Sequence, residues 1–315
     1  MNKNFLLTFA SMLNKASKIL MIRPIKFGFN TQTAESNSFQ QKAEIDNAET
    51  IQSKALQEFD AFSNKLIATG IDVVIYDDTA SPHTPDSIFP NNWISFHENN
   101  ELVLYPMLAE NRRLERRTDI LSELKKSNTI FIDLTKFENK KMYLEGTGSI
   151  VFDYTNKVAY ANSSPRTDKM LFEQLCKQLN FDCIFFKGVD KNGNDIYHTN
   201  VFMCLGKGFA VLCKDCITDK NDLEKVIDSL TFTKHEIIPI SYEQMNSFAG
   251  NMYHLYNYKR ESFIVMSEQA FKSLNPAQIK QLEQYGTLLH SPLYTIEQHG
   301  GGSARCMMAD VRCEI

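Results

Sequence analysis

At 315 residues, with 43% hydrophobic and 23% charged side chains, the chain carries enough apolar material for one large globular domain or two small ones. A net charge of −4 and an isoelectric point near 6.0 exclude the basic footprint of a nucleic-acid binder and the polybasic patch of a membrane-surface protein. Seven cysteines, odd in number and irregularly spaced, point to a reducing, cytoplasmic setting rather than a disulfide framework.

The first twenty residues hold a short apolar run, Phe5–Leu13, broken by Thr8 and Ser11 and followed by no clear small-residue cleavage site. It falls well short of the ~20 apolar residues of a membrane span. Residues 1–20 are therefore expected to be an N-terminal extension, or sequence upstream of a start at Met21, with 21–315 a single domain. A strand is expected at Ile22–Phe29, a helix within Ser38–Ala68 and a strand at Asp72–Tyr76. One order of elements, strand, strand, helix, strand, then recurs four times. The first copy is Trp93–Phe96, Leu102–Pro106, Asn111–Lys126 and Thr129–Leu134; the second is Ser149–Asp153, Lys157–Ala161, Asp168–Leu179 and Asp182–Phe186. The third is Val201–Leu205, Phe209–Cys213, Asp219–Leu230 and Glu236–Ile240; the fourth is Met252–Tyr256, Phe263–Met266, Pro276–Tyr285 and Thr287–His290. Asn275 is the expected cap of the last helix, with Pro276 in its first turn.

A final strand at Ala304–Val311, joined to the elements at the start of the chain, makes a fifth copy. A repeat completed by the two termini closes a ring and removes free sheet edges. The expected fold is a five-bladed α/β propeller with pseudo-fivefold ββαβ repeats, helices outside and the first strand of each unit lining the centre. A doubly wound parallel sheet fits less well. The strand pairs are spaced as hairpins, hence antiparallel, and no strand leads into a glycine-rich phosphate loop.

At the head of each first strand stands a polar residue: Asn92, Glu145, His198, Asn251 and Cys306, separated by 53, 53, 53 and 55 residues. Taken singly, a buried cysteine is usually an inert packing residue and a histidine before a strand a structural one. Taken together in a ring, they converge on one pocket with the composition of a nucleophile, a base and an orienting carboxylate. Gly300, Gly301 and Gly302 let the backbone near Cys306 approach a substrate closely, and Arg305 with the loop amides is expected to favour a thiolate. The lone Cys213–Cys216 pair lacks partners for zinc, and Asp190–Asp195 lacks the glycine and glutamate of a calcium loop. Neither a metal nor an organic cofactor is expected.

With these residues placed, the chain resembles the guanidine-modifying penteins: arginine deiminases, dimethylarginine hydrolases and amidinotransferases. The segment Pro85-Asp86-Ser87-Ile88-Phe89-Pro90-Asn91-Asn92 resembles the hydrolases' P-D-x-V-F-x-E-D, and Glu145-Gly146-Thr147-Gly148 their E-G-G-D. Ser164-Pro165-Arg166-Thr167 resembles a segment that supplies a carboxylate-binding arginine, His198-Thr199-Asn200 the deiminases' H-x-D, and Gly301–Met307 their G-G-x-R-C-M. Met21-Ile22-Arg23-Pro24, Asn30-x-Gln32, Asn91-Asn92-Trp93 and the arginine-rich run 111–117 look most like the citrulline-utilisation branch. The resemblance implies a Cys306–His198–Glu145 triad without a metal.

Deiminases grip the guanidinium with two carboxylates, whereas this chain has Asn92 and Asn200 at both positions. Two amides leave a buried cation poorly compensated but offer a neutral ureido group both donors and acceptors. The expected reaction is hydrolysis of citrulline to ornithine, carbon dioxide and ammonia. Arg166 and one of Arg112 or Arg113 would take the α-carboxylate and Asp86 the α-ammonium, with Asn91 and Asn251 lining the pocket. An arginine deiminase, an amidinotransferase and a non-catalytic binding protein of the same fold are the alternatives. The expected partner is a small amino-acid substrate, with no nucleic acid and no membrane; the oligomeric state is left open, a homodimer among the options.

Overall fold

The computed structural model describes residues 16–41 and 47–312; the apolar run Phe5–Leu13 lies outside the described residues. The repeats form five three-stranded sheets, each with its first strand antiparallel and its third strand parallel to the middle one. Four are continuous in sequence: β3 (Ile94–His97), β4 (Glu101–Leu104) and β5 (Ile130–Asp133); β6 (Ile150–Asp153), β7 (Val158–Asn162) and β8 (Asp182–Phe186); β9 (Met203–Gly206), β10 (Phe209–Leu212) and β11 (Glu236–Pro239); and β12 (Tyr253–Tyr256), β13 (Ser262–Ser267) and β14 (Thr287–Ser291). The fifth sheet closes the ring. The last strand β15 (Ala309–Asp310) pairs antiparallel with β1 (Lys18–Arg23), which pairs in parallel with β2 (Asp72–Asp77). First strands of neighbouring blades touch, β6 with β9, β9 with β12 and β15 with β3. This is the expected five-bladed α/β propeller.

Burial explains the strand sequences. The middle strands are covered on both faces and read as continuous apolar runs: β7 and β10 are buried throughout, and β13 at all but its first residue. The outer strands, such as β2 with the pattern Asp-Val-Val-Ile-Tyr-Asp, lie half exposed. In four of the five blades a helix between the middle and outer strands begins where a side-chain oxygen can accept from the first turn: Asn47 caps Ala48–Ala68, Asp168 caps Lys169–Leu179, Asp219 caps Lys220–Phe232, and Asn275 caps Pro276–Glu283 in a capping box. The long helix buries Ile51, Ala55, Phe59, Phe62 and Leu66 against β1 and against Met307 and Met308, which flank Cys306.

Three expectations shift. The strand expected at Ile22–Phe29 starts at Lys18 and stops before Pro24, whose missing N–H cannot continue the ladder. The boundary drawn after residue 20 therefore cuts a strand in which Ile19 and Leu20 are fully buried. The strand expected over Ala304–Val311 is only Ala309–Asp310, because the residues before it are spent in a turn. The helix expected over Asn111–Lys126 is two short pieces, Glu110–Arg113 and Thr118–Leu124, with Arg117 extended between them. Among the described residues, no helix is long and apolar enough to cross a membrane.

Candidate active site

Each first strand is preceded by a tight turn at the centre of the ring. In two blades the named residue opens the turn, with the carbonyls of Glu145 and His198 accepting from the N–H groups of Gly148 and Val201 at 3.1 and 3.4 Å. In the other three it closes the turn. Asn92, Asn251 and Cys306 donate their N–H groups to the carbonyls of Phe89, Phe248 and Ser303 at 3.3, 2.9 and 2.9 Å. The regular spacing thus places all five residues in equivalent turns, but at either end of them.

His198 Nε2 lies 2.9 Å from Glu145 Oε2, and both side chains are buried. Burial works against the Glu145 carboxylate, but Arg166 at 3.4 Å, His198, and Arg112 at 3.9 Å more than offset it and hold the group ionised, well below its ordinary range. The backbone N–H of Leu108 also donates to its Oε1 at 3.1 Å. Burial, seconded by the two arginines and opposed by Glu145, pushes His198 down to about 4. The ring is therefore neutral at physiological pH. An ionised carboxylate only accepts, so Nε2 carries the ring proton and Nδ1 is left as an acceptor. Gly148 makes room for that nitrogen: a Cβ there would sit 2.6 Å from His198 Nδ1 and 2.5 Å from Asn92 Nδ2.

His198 and Cys306 line the same narrow cleft, together with Asn37, Asp86, Phe89, Asn92, Arg112, Arg166, Tyr197 and Gly300–Gly302. Asp86 is buried; its Oδ2 accepts from Asn30 at 2.7 Å and from Thr33 at 3.3 Å, while its Oδ1 has no partner. Burial raises its pKa against the pull of Arg112. Arg166 stacks on Tyr197 and ties down the segment over the cleft, donating to Ser36 Oγ at 2.7 Å and to the Thr33 carbonyl at 3.2 Å.

A family model for the eukaryotic N,N dimethylarginine dimethylhydrolases matches residues 23–313. The chain belongs to that family. It is thereby a member of the guanidine-modifying pentein superfamily. Comparison with curated proteins gives no match. Among solved structures, the chain resembles the N-terminal domain of ArgZ, solved with a reaction intermediate covalently bound, at 17% identity and a TM-score of 0.74, covering 94% of this chain and 97% of that one. ArgZ is described as an arginine dihydrolase of cyanobacteria; of its full-length structure the chain spans 41%. Unliganded AgrE matches at 18% identity and a TM-score of 0.74, over 95% of this chain and 40% of AgrE. A dimethylarginine dimethylaminohydrolase in adduct with S-methyl-L-thiocitrulline matches at 14% identity and a TM-score of 0.62, over 94% of this chain and all of that one. At these identities the likeness establishes the fold.

Within this pentein the two adjacent arginines part company. Arg112 is buried: Nε and Nη2 clasp Glu115 at 2.8 and 3.0 Å, and Nη1 donates to Asn92 Oδ1 at 2.8 Å. Arg113 turns away from the cleft, to the carbonyls of Met107 and Leu108 and toward Glu138, so its expected role at the α-carboxylate falls. Arg305 is corrected as well. Its guanidinium lies 4.0 Å over the Tyr253 ring and donates to the Met308 carbonyl, not to Cys306. Asn91 sits behind Asn92, its Oδ1 accepting from Asn92 Nδ2 at 3.1 Å and its Nδ2 unpartnered. Sequence reasoning missed Glu115, Tyr197 and Asn37. Only the three-residue spacing of Arg112 and Glu115 on a helical pattern could have signalled the first of these.

Proposed function

We propose that this pentein is a cysteine hydrolase that cleaves the ureido C–N bond of a citrulline-like amino acid, releasing ornithine, carbon dioxide and ammonia. The observation that carries this reading is the pair of neutral amides at the reacting centre. Asn92 lines the cleft, and Asn200 Nδ2 stands 3.5 Å from Cys306 Sγ. A ureido group matches such donors and acceptors, whereas a guanidinium there would lack its carboxylate partners.

In this mechanism Cys306 Sγ bonds to the ureido carbon as its proton passes to His198, and Glu145 balances the imidazolium. That proton moves on to the departing nitrogen as the C–N bond breaks. The amine leaves and a carbamoyl group stays on sulfur. Water then gives a proton to His198 and attacks the carbamoyl carbon; the C–S bond breaks, the thiol is restored, and carbamate decays to carbon dioxide and ammonia. Asp86, with its vacant buried Oδ1, suits the α-ammonium. Arg166 serves the α-carboxylate, and Arg112, its fork filled by Glu115, orients Asn92.

The competing reading is a guanidinium substrate, favoured by the unspent carboxylate oxygen of Asp86. A panel of citrulline, arginine, dimethylarginine and N-carbamoyl amino acids, with amine and ammonia products followed, separates the two. Ornithine from citrulline with arginine untouched, and no turnover by Cys306→Ala, is the expected result. Turnover of arginine or dimethylarginine with citrulline inert would overturn the ureido reading.

A further inference from the structure

Cys306 Sγ is met by side-chain amides from two other blades: Asn251 Nδ2 at 3.3 Å and Asn200 Nδ2 at 3.5 Å, with the thiol also facing Asn200 Oδ1 at 3.9 Å. Asn251 cannot present its oxygen instead. Its Oδ1 accepts the backbone N–H of Arg305 at 3.0 Å, and its Nδ2 also donates to the Asn200 carbonyl at 2.9 Å, so both ends of the amide are fixed. Among the described residues, no cationic side chain hydrogen-bonds the sulfur; Arg305, next to it in sequence, is engaged with Tyr253 and Met308. Cys306 is almost wholly buried.

We propose that Asn251 is a catalytic residue whose Nδ2–H, together with that of Asn200, forms a neutral cradle that stabilises and aims the Cys306 thiolate. An adjacent cation is one way to favour a thiolate; amide N–H groups are another, and in a site shielded from water each bond is strengthened. A neutral cradle also leaves no extra positive charge beside the substrate. Because Arg305 N–H locks Asn251 and Arg305 precedes the nucleophile, one backbone bond sets both the donor and the chain that carries the sulfur. The inference rests on Cys306 being the nucleophile but not on which substrate it attacks.

The test needs no substrate. Alkylation of Cys306 by iodoacetamide, followed by mass spectrometry of the peptide that contains it, is measured in the full chain for wild type, Asn251→Ala and Asn251→Asp. Thermal melting checks the fold. Asn251→Asp preserves shape and the acceptor for Arg305 N–H while removing the donor and adding negative charge. At neutral pH Asn251→Ala is expected to react about tenfold more slowly, the effect of losing one hydrogen bond to a charged sulfur, and Asn251→Asp more slowly still. In alkaline solution, where the thiol ionises unaided, both should approach the wild-type rate. Unchanged rates at neutral pH, or slowing that persists equally in alkali, would overturn the proposal, the latter because it reports access rather than charge. A Cys306→Ala protein that keeps turning over substrate would instead remove the underlying nucleophile assignment.

Discussion

Asn92→Asp tests whether charge at the reacting centre chooses between ureido and guanidinium substrates. The introduced carboxylate has the shape of the amide and keeps the 2.8 Å bond from Arg112 Nη1. It loses the donor to Asn91 Oδ1, but Asn91 Nδ2 has no partner, so rotation of the Asn91 amide restores a bond. The structural cost is then only about 1 kcal/mol. The electrostatic change is larger. Arg112 already faces Glu115, Asp86 and Glu145 at 2.8, 3.6 and 3.9 Å, so a further negative charge is not neutralised by it. A unit charge ~4 Å from a guanidinium attracts it by ~4 kcal/mol at an effective dielectric of ~20. Desolvation and the pull of Arg112 consume about a third to two thirds of this, leaving ~1.4–2.8 kcal/mol, a ten- to hundredfold change in preference. In kcat/KM assays on citrulline and arginine, the ratio should shift toward arginine by that factor, and Asn92→Ala should weaken both without favouring arginine. A citrulline-to-arginine ratio in Asn92→Asp equal to wild type would refute the argument.

Gly148→Ala drives a methyl group between His198 Nδ1 and Asn92 Nδ2, at 2.6 and 2.5 Å, where neither neighbour is a free chain end. Turnover should fall by about two orders of magnitude, the span of a lost general base, with ~1–3 kcal/mol less stability in urea; activity near wild type would show that His198 does not use that nitrogen. The second prediction concerns acid. His254 Nδ1 accepts from the Lys207 N–H at 2.9 Å and its other nitrogen meets Ser262 Oγ, so the ring is held neutral, and burial takes it down to about 4. Its folded pKa lies below the unfolded value of ~6.5, so the unfolded chain binds more protons between the two. Stability is therefore lost as pH falls through that window, by up to ~1.4 kcal/mol per unit. Urea midpoints of wild type and His254→Gln should converge from pH 6.5 downward; parallel lines would sink the assignment.

The repeat was legible because middle strands buried on both faces must be apolar and because the long helices of four blades start at a capping oxygen. Glu145, His198 and Cys306 were legible because equal spacing in a closed ring demands convergence. What escaped was direction. Arg112 and Arg113 are neighbours on one helical turn, and only the placement of Glu115 and Asn92 on one side, and of the Met107 carbonyl on the other, decides which enters the cleft. Arg305 precedes Cys306 in sequence, yet the Tyr253 ring and the Met308 carbonyl draw its charge away. Asn251 showed no chemistry in sequence, because what singles it out is a backbone N–H that locks its amide toward Cys306.

Cys306 differs from the other four turn residues in how it is placed. Asn92, Glu145, His198 and Asn251 each precede a strand that pairs with the next strand in the chain, so a local hairpin fixes the turn. Cys306 precedes β15, whose register against β1 is Ile19 with Asp310 and Leu20 with Ala309, and Val311 N–H reaches the Lys18 carbonyl at 2.7 Å. The sulfur is thus positioned by residues nearly three hundred positions away in sequence. Loop-closure entropy makes such pairings late and dependent on the rest of the ring. The Cys306 thiol is set beside Asn200 and Asn251 through this long-range pairing, whereas the other four residues are set by local hairpins. The pairing of β15 with β1 that closes the ring is therefore also what brings Cys306 to the cleft.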